Sequence, residues 1–162
     1  MPAICGMLKA PLDILADKLR GYLGLCEDLF KRRKKVEAAC EALMPHLYHL
    51  ALGSADPAKQ LPIAIWMHRG CVPFVSHEQF DNIYWPTLRP MLDELWKHGH
   101  QVLLYAEGRW GAHLKSFAKL QPGSVIYHCD QDDIFALDAI RIRIHQVDMR
   151  VDLSGAAKVF LK

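Results

Sequence analysis

The sequence predicts an α/β fold in which parallel strands alternate with helices. Three observations lead there. Pro62-Ile-Ala-Ile-Trp-Met67 and Gln101-Val-Leu-Leu-Tyr-Ala106 are short unbroken apolar runs, the pattern of strands buried on both faces. The segments around them carry apolar residues at intervals of three and four, the helical period. The two kinds of segment take turns along the chain, which calls for a parallel sheet with crossover helices outside it.

Apolar residues at Leu12, Leu15 and Leu19 mark a helix over 11–20, ending near Gly21 and Gly24. Val36, Ala39, Cys40, Leu43, Leu47 and Ala51 mark a longer one over 34–52, closed by the Gly53 to Pro57 stretch. After the first buried strand, Ser76-His-Glu-Gln79 has capping-box spacing, in which the Ser and Gln side chains each satisfy a backbone N–H. Phe80, Ile83, Tyr84, Leu88, Leu92 and Leu95 continue that helix to Gly99. Pro86 and Pro90 are expected to kink or split it, since neither has an N–H to donate. Beyond the second strand come a short helix over 112–120, a turn at Gln121 to Ser124, a third strand over 125–127 and a helix over 130–140. The segment 141–153 alternates polar and apolar like a half-exposed strand and departs from all that precedes it. Tyr84, Trp85 and Trp96 are expected in core packing; His46, His49, His77, His98, His100 and His113 are expected on the surface.

Composition narrows the function classes. The 162 residues are 51% hydrophobic and 23% charged, with Lys plus Arg at 20 against Asp plus Glu at 18. That balance speaks against disorder and against a strongly basic nucleic-acid domain. No apolar run approaches the roughly 20 residues of a membrane span, and the first nine residues lack a signal-peptide pattern. Cys5, Cys26, Cys40, Cys71 and Cys129 are odd in number and scattered without a C-x-x-C pair, so free thiols in the cytoplasm are expected. The basic run Lys31 to Lys35 has no interleaved aromatics and reads as a solvated surface. Neither a nucleic-acid nor a membrane partner is expected. There is no G-x-G-x-x-G, Walker A or G-x-S-x-G motif.

In parallel α/β folds, sites form where strands end and the loops to the next helix begin. Here the first apolar strand runs into His68 and Arg69, the second into Glu107 and Arg109, and the third into His128, Cys129 and Asp130. The arginines suit anionic groups, Glu107 suits acid, base or ligand work, and His128 suits a ligand or proton carrier. The competing reading is that strand ends meet water and collect polar residues anyway. It is strongest for Asp130, Asp132 and Asp133, since acids are favoured at a helix start. Glu107 and His128 with Cys129 or Asp130 are also candidates for a metal site; strand alternation sets His128 and Cys129 on opposite faces and favours Asp130, and no compact motif specifies the three or four ligands that zinc needs.

The stretches Ser76 to Pro90, Val102-Leu-Leu-Tyr-Ala-Glu-Gly108 and Tyr127-His-Cys-Asp-Gln-Asp-Asp133 resemble the uroporphyrinogen decarboxylase superfamily, which includes cobalamin-dependent methyltransferases. Ala10 to Gly21 resembles its Ala-Pro segment and the helix after it, so the similarity spans about 7–140. The resemblance implies a partial (β/α)8 barrel, the TIM fold, over 1–140, with 141–162 an atypical tail. A closed barrel takes about 250 residues. The chain is therefore expected to be a fragment, truncated or shifted in reading frame near Ile140, and to self-associate through its open edges. The family's arginine-rich opening, early catalytic aspartate and late histidine segment have no counterpart here. Asp17 stands where decarboxylases carry a tyrosine, and His128-Cys129-Asp130 stands where zinc-binding members carry His-x-Cys.

The decarboxylase resemblance implies a tetrapyrrole substrate and no cofactor, with Arg69, Arg109 and His68 binding substrate and His128 and Glu107 catalytic. The methyltransferase relatives imply instead a methyl donor, a corrinoid protein partner and zinc on Glu107, His128 and Asp130. A third expectation, from the missing segments, is a non-catalytic binding remnant.

Overall fold

The computed structural model describes residues 4–129, 147–151 and 157–161. Strand β1 (Cys5–Lys9) passes through Ala10 into α1 (Pro11–Ile14), which continues as a π-helical turn over Leu15–Leu19. Pro11 suits the first helical position, where its missing N–H would have no partner in any case. Gly21, at φ 78°, turns the chain into α2 (Tyr22–Lys31), which is followed by α3 (Arg33–Gly53). Then come β2 (Ile63–Met67), α4 (His77–Gln79), a π turn over Phe80–Tyr84, α5 (Trp85–Lys97) and β3 (Val102–Ala106). A 3-10 turn (Gly111–His113), α6 (Leu114–Phe117), β4 (Val125–Cys129), β5 (Val147–Val151) and β6 (Ala157–Leu161) complete the described elements.

These strands form one sheet in the order β1-β2-β3-β4-β6-β5. The first four run parallel, as expected, and β6 pairs antiparallel with both β4 and β5. The helices lie against one face. Ile63, Ile65 and Met67 of β2, Val102, Leu104 and Ala106 of β3, and Val125 and Tyr127 of β4 are buried in one core. Val36, Cys40 and Leu47 of α3 and Leu88, Leu92 and Leu95 of α5 share it. Each large aliphatic side chain so buried contributes about 1.5–3 kcal/mol. The alternate strand residues Met7, Trp66 and Tyr105 keep contact with solvent. On that face Ala64 of β2 and His128 of β4 are nonetheless buried, so β2 is largely buried on both sides as expected, while β1 and β3 are open at Met7 and Tyr105; among the described residues, helices cover one side of the parallel sheet.

Several elements differ from expectation in their bounds. The capping box forms, Ser76 Oγ accepting from the Gln79 N–H while the Gln79 side chain accepts from the Ser76 N–H. Neither proline splits the helix. Pro86 falls in the first turn of α5, where its missing N–H matters little, and the irregularity is the π turn just before it. The short helix foreseen over 112–120 is a 3-10 turn plus α6, and the third strand extends through His128 to Cys129. The expected helix over 130–140 lies outside the described residues, while β5 falls within the alternating 141–153 segment. Cys5, Cys26, Cys40 and Cys71 are free thiols, and burial pushes the Cys40 thiol up to about 12. No helix among the described residues is long and apolar enough to cross a membrane.

Two histidines expected on the surface are buried, His100 and His113. His113 stacks on Phe80 at 3.8 Å between ring centroids, and its Nε2 has no hydrogen-bond partner among the described residues. Burial therefore lowers its pKa to about 4. Below the ordinary histidine value of about 6.5 the unfolded chain takes up a proton that the folded chain refuses, so stability falls with pH across this interval. Between pH 7 and pH 5 the wild type should lose about 2 kcal/mol more than His113→Phe, read from urea midpoints. Equal losses in the two proteins would refute this account of His113.

Candidate functional site

Parallel pairing brings the carboxyl ends of β1 to β4 to one edge of the sheet, and the residues there fall into two adjoining groups. The first is built on Asp13 of α1, which is fully buried. Its Oδ1 accepts the backbone N–H of Arg69 at 2.6 Å and of His68 at 3.2 Å, and its Oδ2 accepts the Tyr84 hydroxyl at 2.7 Å. One carboxylate thus joins α1, the loop after β2 and the π turn before α5. The loop can approach this closely because residue 70 is glycine: a Cβ there would lie 2.5 Å from the Tyr84 ring.

Asp17 sits four residues on, within the π turn, on the side of the helix that Asp13 marks. Such turns recur at functional sites because they re-aim side chains. Its carboxylate receives Lys9 Nζ at 2.6 Å, His68 Nε2 at 2.7 Å and Arg69 Nε at 3.2 Å. His68 thereby stands between two aspartates, its Nδ1 3.7 Å from Asp13 Oδ1, too far for a hydrogen bond.

Arg69 is held from several sides. Its backbone N–H is fixed by Asp13 and its Nε by Asp17, while its guanidinium lies 5.0 Å from the Tyr22 ring and 4.9 Å from the Phe74 ring. The two terminal guanidinium nitrogens have no hydrogen-bond partner among the described residues. A guanidinium fixed at Nε with both ends available is a prepared fork for a carboxylate or phosphate.

The second group is a row set by strand register, Lys9 beside Trp66, Trp66 beside Tyr105 and Tyr105 beside His128. The side chains follow it. Lys9 Nζ lies 5.8 Å over the Trp66 ring, Trp66 meets Tyr105 edge-on at 5.0 Å, and Tyr105 stacks on His128 at 4.4 Å with 13° between planes. Glu107 Oε2 accepts the Trp66 indole N–H at 2.9 Å, which fixes the carboxylate at the end of this aromatic shelf. Lys9 belongs to both groups and joins them.

Burial dominates the titration of Asp13: despite the bonds it accepts, its carboxyl is raised above the ordinary range. Burial, with Asp13 next to it, pushes the Tyr84 hydroxyl well above its usual value. For Asp17 partial burial works in the same direction, but the bonds from Lys9 and Arg69 and the field of His68 outweigh it and hold its carboxyl low. The site therefore pairs a carboxyl inclined to keep a proton with one inclined to lose it, and His68 lies between them.

Of the residues expected at the site, His68 and Arg69 join the first group and Glu107 and His128 the second. Arg109 is exposed, and its backbone carbonyl accepts the Val72 N–H at 3.3 Å, tying together the loops after β2 and β3. Asp130 lies outside the described residues. His128 belongs to β4 itself and does not follow it. Sequence reasoning missed Lys9, Asp13, Asp17 and the second role of Tyr84. The signal available was a pair of acids four apart in a helix that is otherwise apolar on its inner side. As for zinc, Glu107 is engaged by an indole and His128 by a tyrosine ring. Among the described residues no three His, Cys, Asp or Glu side chains converge to hold a metal ion.

Compared with known protein families, curated proteins and solved structures, the chain finds no match in any of the three.

If Asp13 holds this group together, removing its oxygens must cost more than removing its charge. Asp13→Ala leaves the His68 and Arg69 N–H groups and the Tyr84 hydroxyl buried without an acceptor, at about 1–3 kcal/mol each. It should lower stability by at least about 3 kcal/mol in urea unfolding. Asp13→Asn keeps one acceptor oxygen and should lose only about 1 kcal/mol. Equal losses would show that the backbone bonds do not matter.

Proposed function

We propose that this chain is part of a uroporphyrinogen decarboxylase-like (β/α)8 barrel enzyme whose site takes a substrate bearing several carboxylates, a tetrapyrrole by the resemblance of its motifs. The observation that carries the reading is Arg69, a buttressed guanidinium with both terminal nitrogens available at the carboxyl edge of a parallel sheet. Local charge supports it. Lys9 and Arg69 bring two fixed positive charges against Asp17, while Asp13 is inclined to neutrality, so an incoming carboxylate meets a surplus cation. The shelf of Trp66, Tyr105 and His128 offers a flat conjugated ligand a stacking surface beside that fork. Helices on one side of four parallel strands are also what one flank of such a barrel requires.

In this reading Arg69 and Lys9 hold carboxylates of the substrate. Loss of carbon dioxide breaks the bond between a side-chain carbon and its carboxyl group and leaves the electron pair on that carbon, which then needs a proton. His68, whose Nε2 lies 2.7 Å from Asp17, is the group proposed to carry that proton, with Glu107 and His128 in the adjoining row. Arg109 is exposed on the loop leaving β3, on the same edge of the sheet.

Titration with uroporphyrin III, the oxidised and unreactive form, tests the reading through quenching of its fluorescence. Arg69→Met should weaken binding at least about 10-fold, as expected for a charge-assisted bond of about 1.5–3 kcal/mol. Identical affinities for wild type and variant would remove the proposal's foundation. Turnover of the reduced porphyrinogen by the same protein separates an enzyme from a binding remnant.

A further inference from the structure

A cavity of about 260 Å³ lies apart from this cluster, between the π turn after α1, α2 and α3. Its floor is aliphatic, made by Leu15, Leu25, Val36 and Ala39, and its rim carries Arg20, Asp28, Arg32 and Lys35. The helical period explains both. Leu25 and Asp28 lie three apart on a single face of α2, Arg32 stands at the junction of α2 and α3, and Val36 and Ala39 line the hollow from α3.

Asp28 organises the rim. Its Oδ2 accepts Arg20 Nε at 2.7 Å and its Oδ1 pairs with Arg32 Nε at 2.9 Å. Both arginines are held through Nε, and their terminal nitrogens make no hydrogen bond among the described residues. Lys35 has no ion pair among the described residues; the neighbouring Glu27 pairs with Lys31 at 3.2 Å and lies 3.8 Å from one terminal nitrogen of Arg32, too far for a hydrogen bond. Three cations thus face one carboxylate around an apolar hollow, an excess of two positive charges.

We propose that this cavity binds a small amphipathic anion, a monocarboxylate or monophosphate on a short hydrocarbon body. The floor favours hydrocarbon, the surplus charge favours an anion, and guanidinium forks match the planar carboxylate. The volume accommodates roughly eight non-hydrogen atoms at about 30 Å³ each, the share of one water in the liquid. Order matters too. With the apolar part innermost and the cations at the rim, a ligand enters tail first, whereas a lipid held in a bilayer offers its headgroup first. A soluble amphiphile therefore fits better than a membrane surface.

The test is an amide-resolved NMR titration of the full chain with hexanoate. Saturable shifts are expected at Leu25, Val36 and Ala39, with acetate and hexanol both binding at least 10-fold more weakly because each lacks one half of the match. Ala39→Leu should fill the floor and abolish binding, and the Arg20→Gln, Arg32→Gln double variant should weaken it at least 10-fold. Should that double variant fail to fold, Lys35→Gln, which breaks no ion pair among the described residues, should still weaken hexanoate several-fold. Arg69→Met should leave these shifts unchanged. Shifts confined to Lys9 and Arg69, hexanol binding as tightly as hexanoate, or binding seen only with phosphatidylglycerol vesicles would each overturn the proposal.

Discussion

A single buried carboxylate organises the carboxyl edge of the sheet. Asp13 has no solvent to fall back on, so its oxygens must be met from within the protein, and three donors from two different segments meet them. An acceptor so enclosed costs several kcal/mol when left without donors, so the segments that supply them are held in register with one another. The loop after β2 is fixed at its backbone, the π turn before α5 at a tyrosine hydroxyl, and Gly70 lets the two touch. The rest of the site inherits its geometry from this arrangement.

Arg69 shows what that inheritance does. Its main chain hangs on Asp13, its Nε on Asp17 and its guanidinium against two rings, so little rotamer freedom remains to be lost when an anion arrives. Asp17 provides the anchor at a cost, since it also neutralises part of the charge that would attract a ligand. Lys9 shares that carboxylate with Arg69, so two fixed cations face one anion there. The same logic recurs in smaller form at Asp28, which orients Arg20 and Arg32 through Nε above an aliphatic hollow. In both places a carboxylate is used to aim a guanidinium.

The α/β alternation was legible because β2 and β3 are uninterrupted apolar runs and α3 and α5 repeat at three and four. The strand-end positions of His68, Arg69 and Glu107 followed directly from it. What could not be read were interactions set by distant pairing. Asp13 resembles an acid favouring a helix start, and nothing local tells that Tyr84, 71 residues away, brings it a hydroxyl. His113 is covered by rings distant in sequence, Phe80 stacked on it and His77 edge-on. The aromatic row was hidden for a similar reason, as it depends on the register that sets Trp66 beside Tyr105 and Tyr105 beside His128. Which face of the sheet the described helices take was also invisible, because hydrophobic runs do not reveal it.

The central claim, that Asp13 and Tyr84 meet as acceptor and donor to lock the site, is tested most directly by a double-mutant cycle on stability. Tyr84→Phe removes the donor, and in the wild type it should cost about 1 kcal/mol by leaving Asp13 short of a partner. In the Asp13→Ala background the hydroxyl is already stranded, so the same change should be neutral or stabilising, giving a coupling of about 1 kcal/mol or more. An equal cost of Tyr84→Phe in both backgrounds, additive within about 0.5 kcal/mol, would contradict the account.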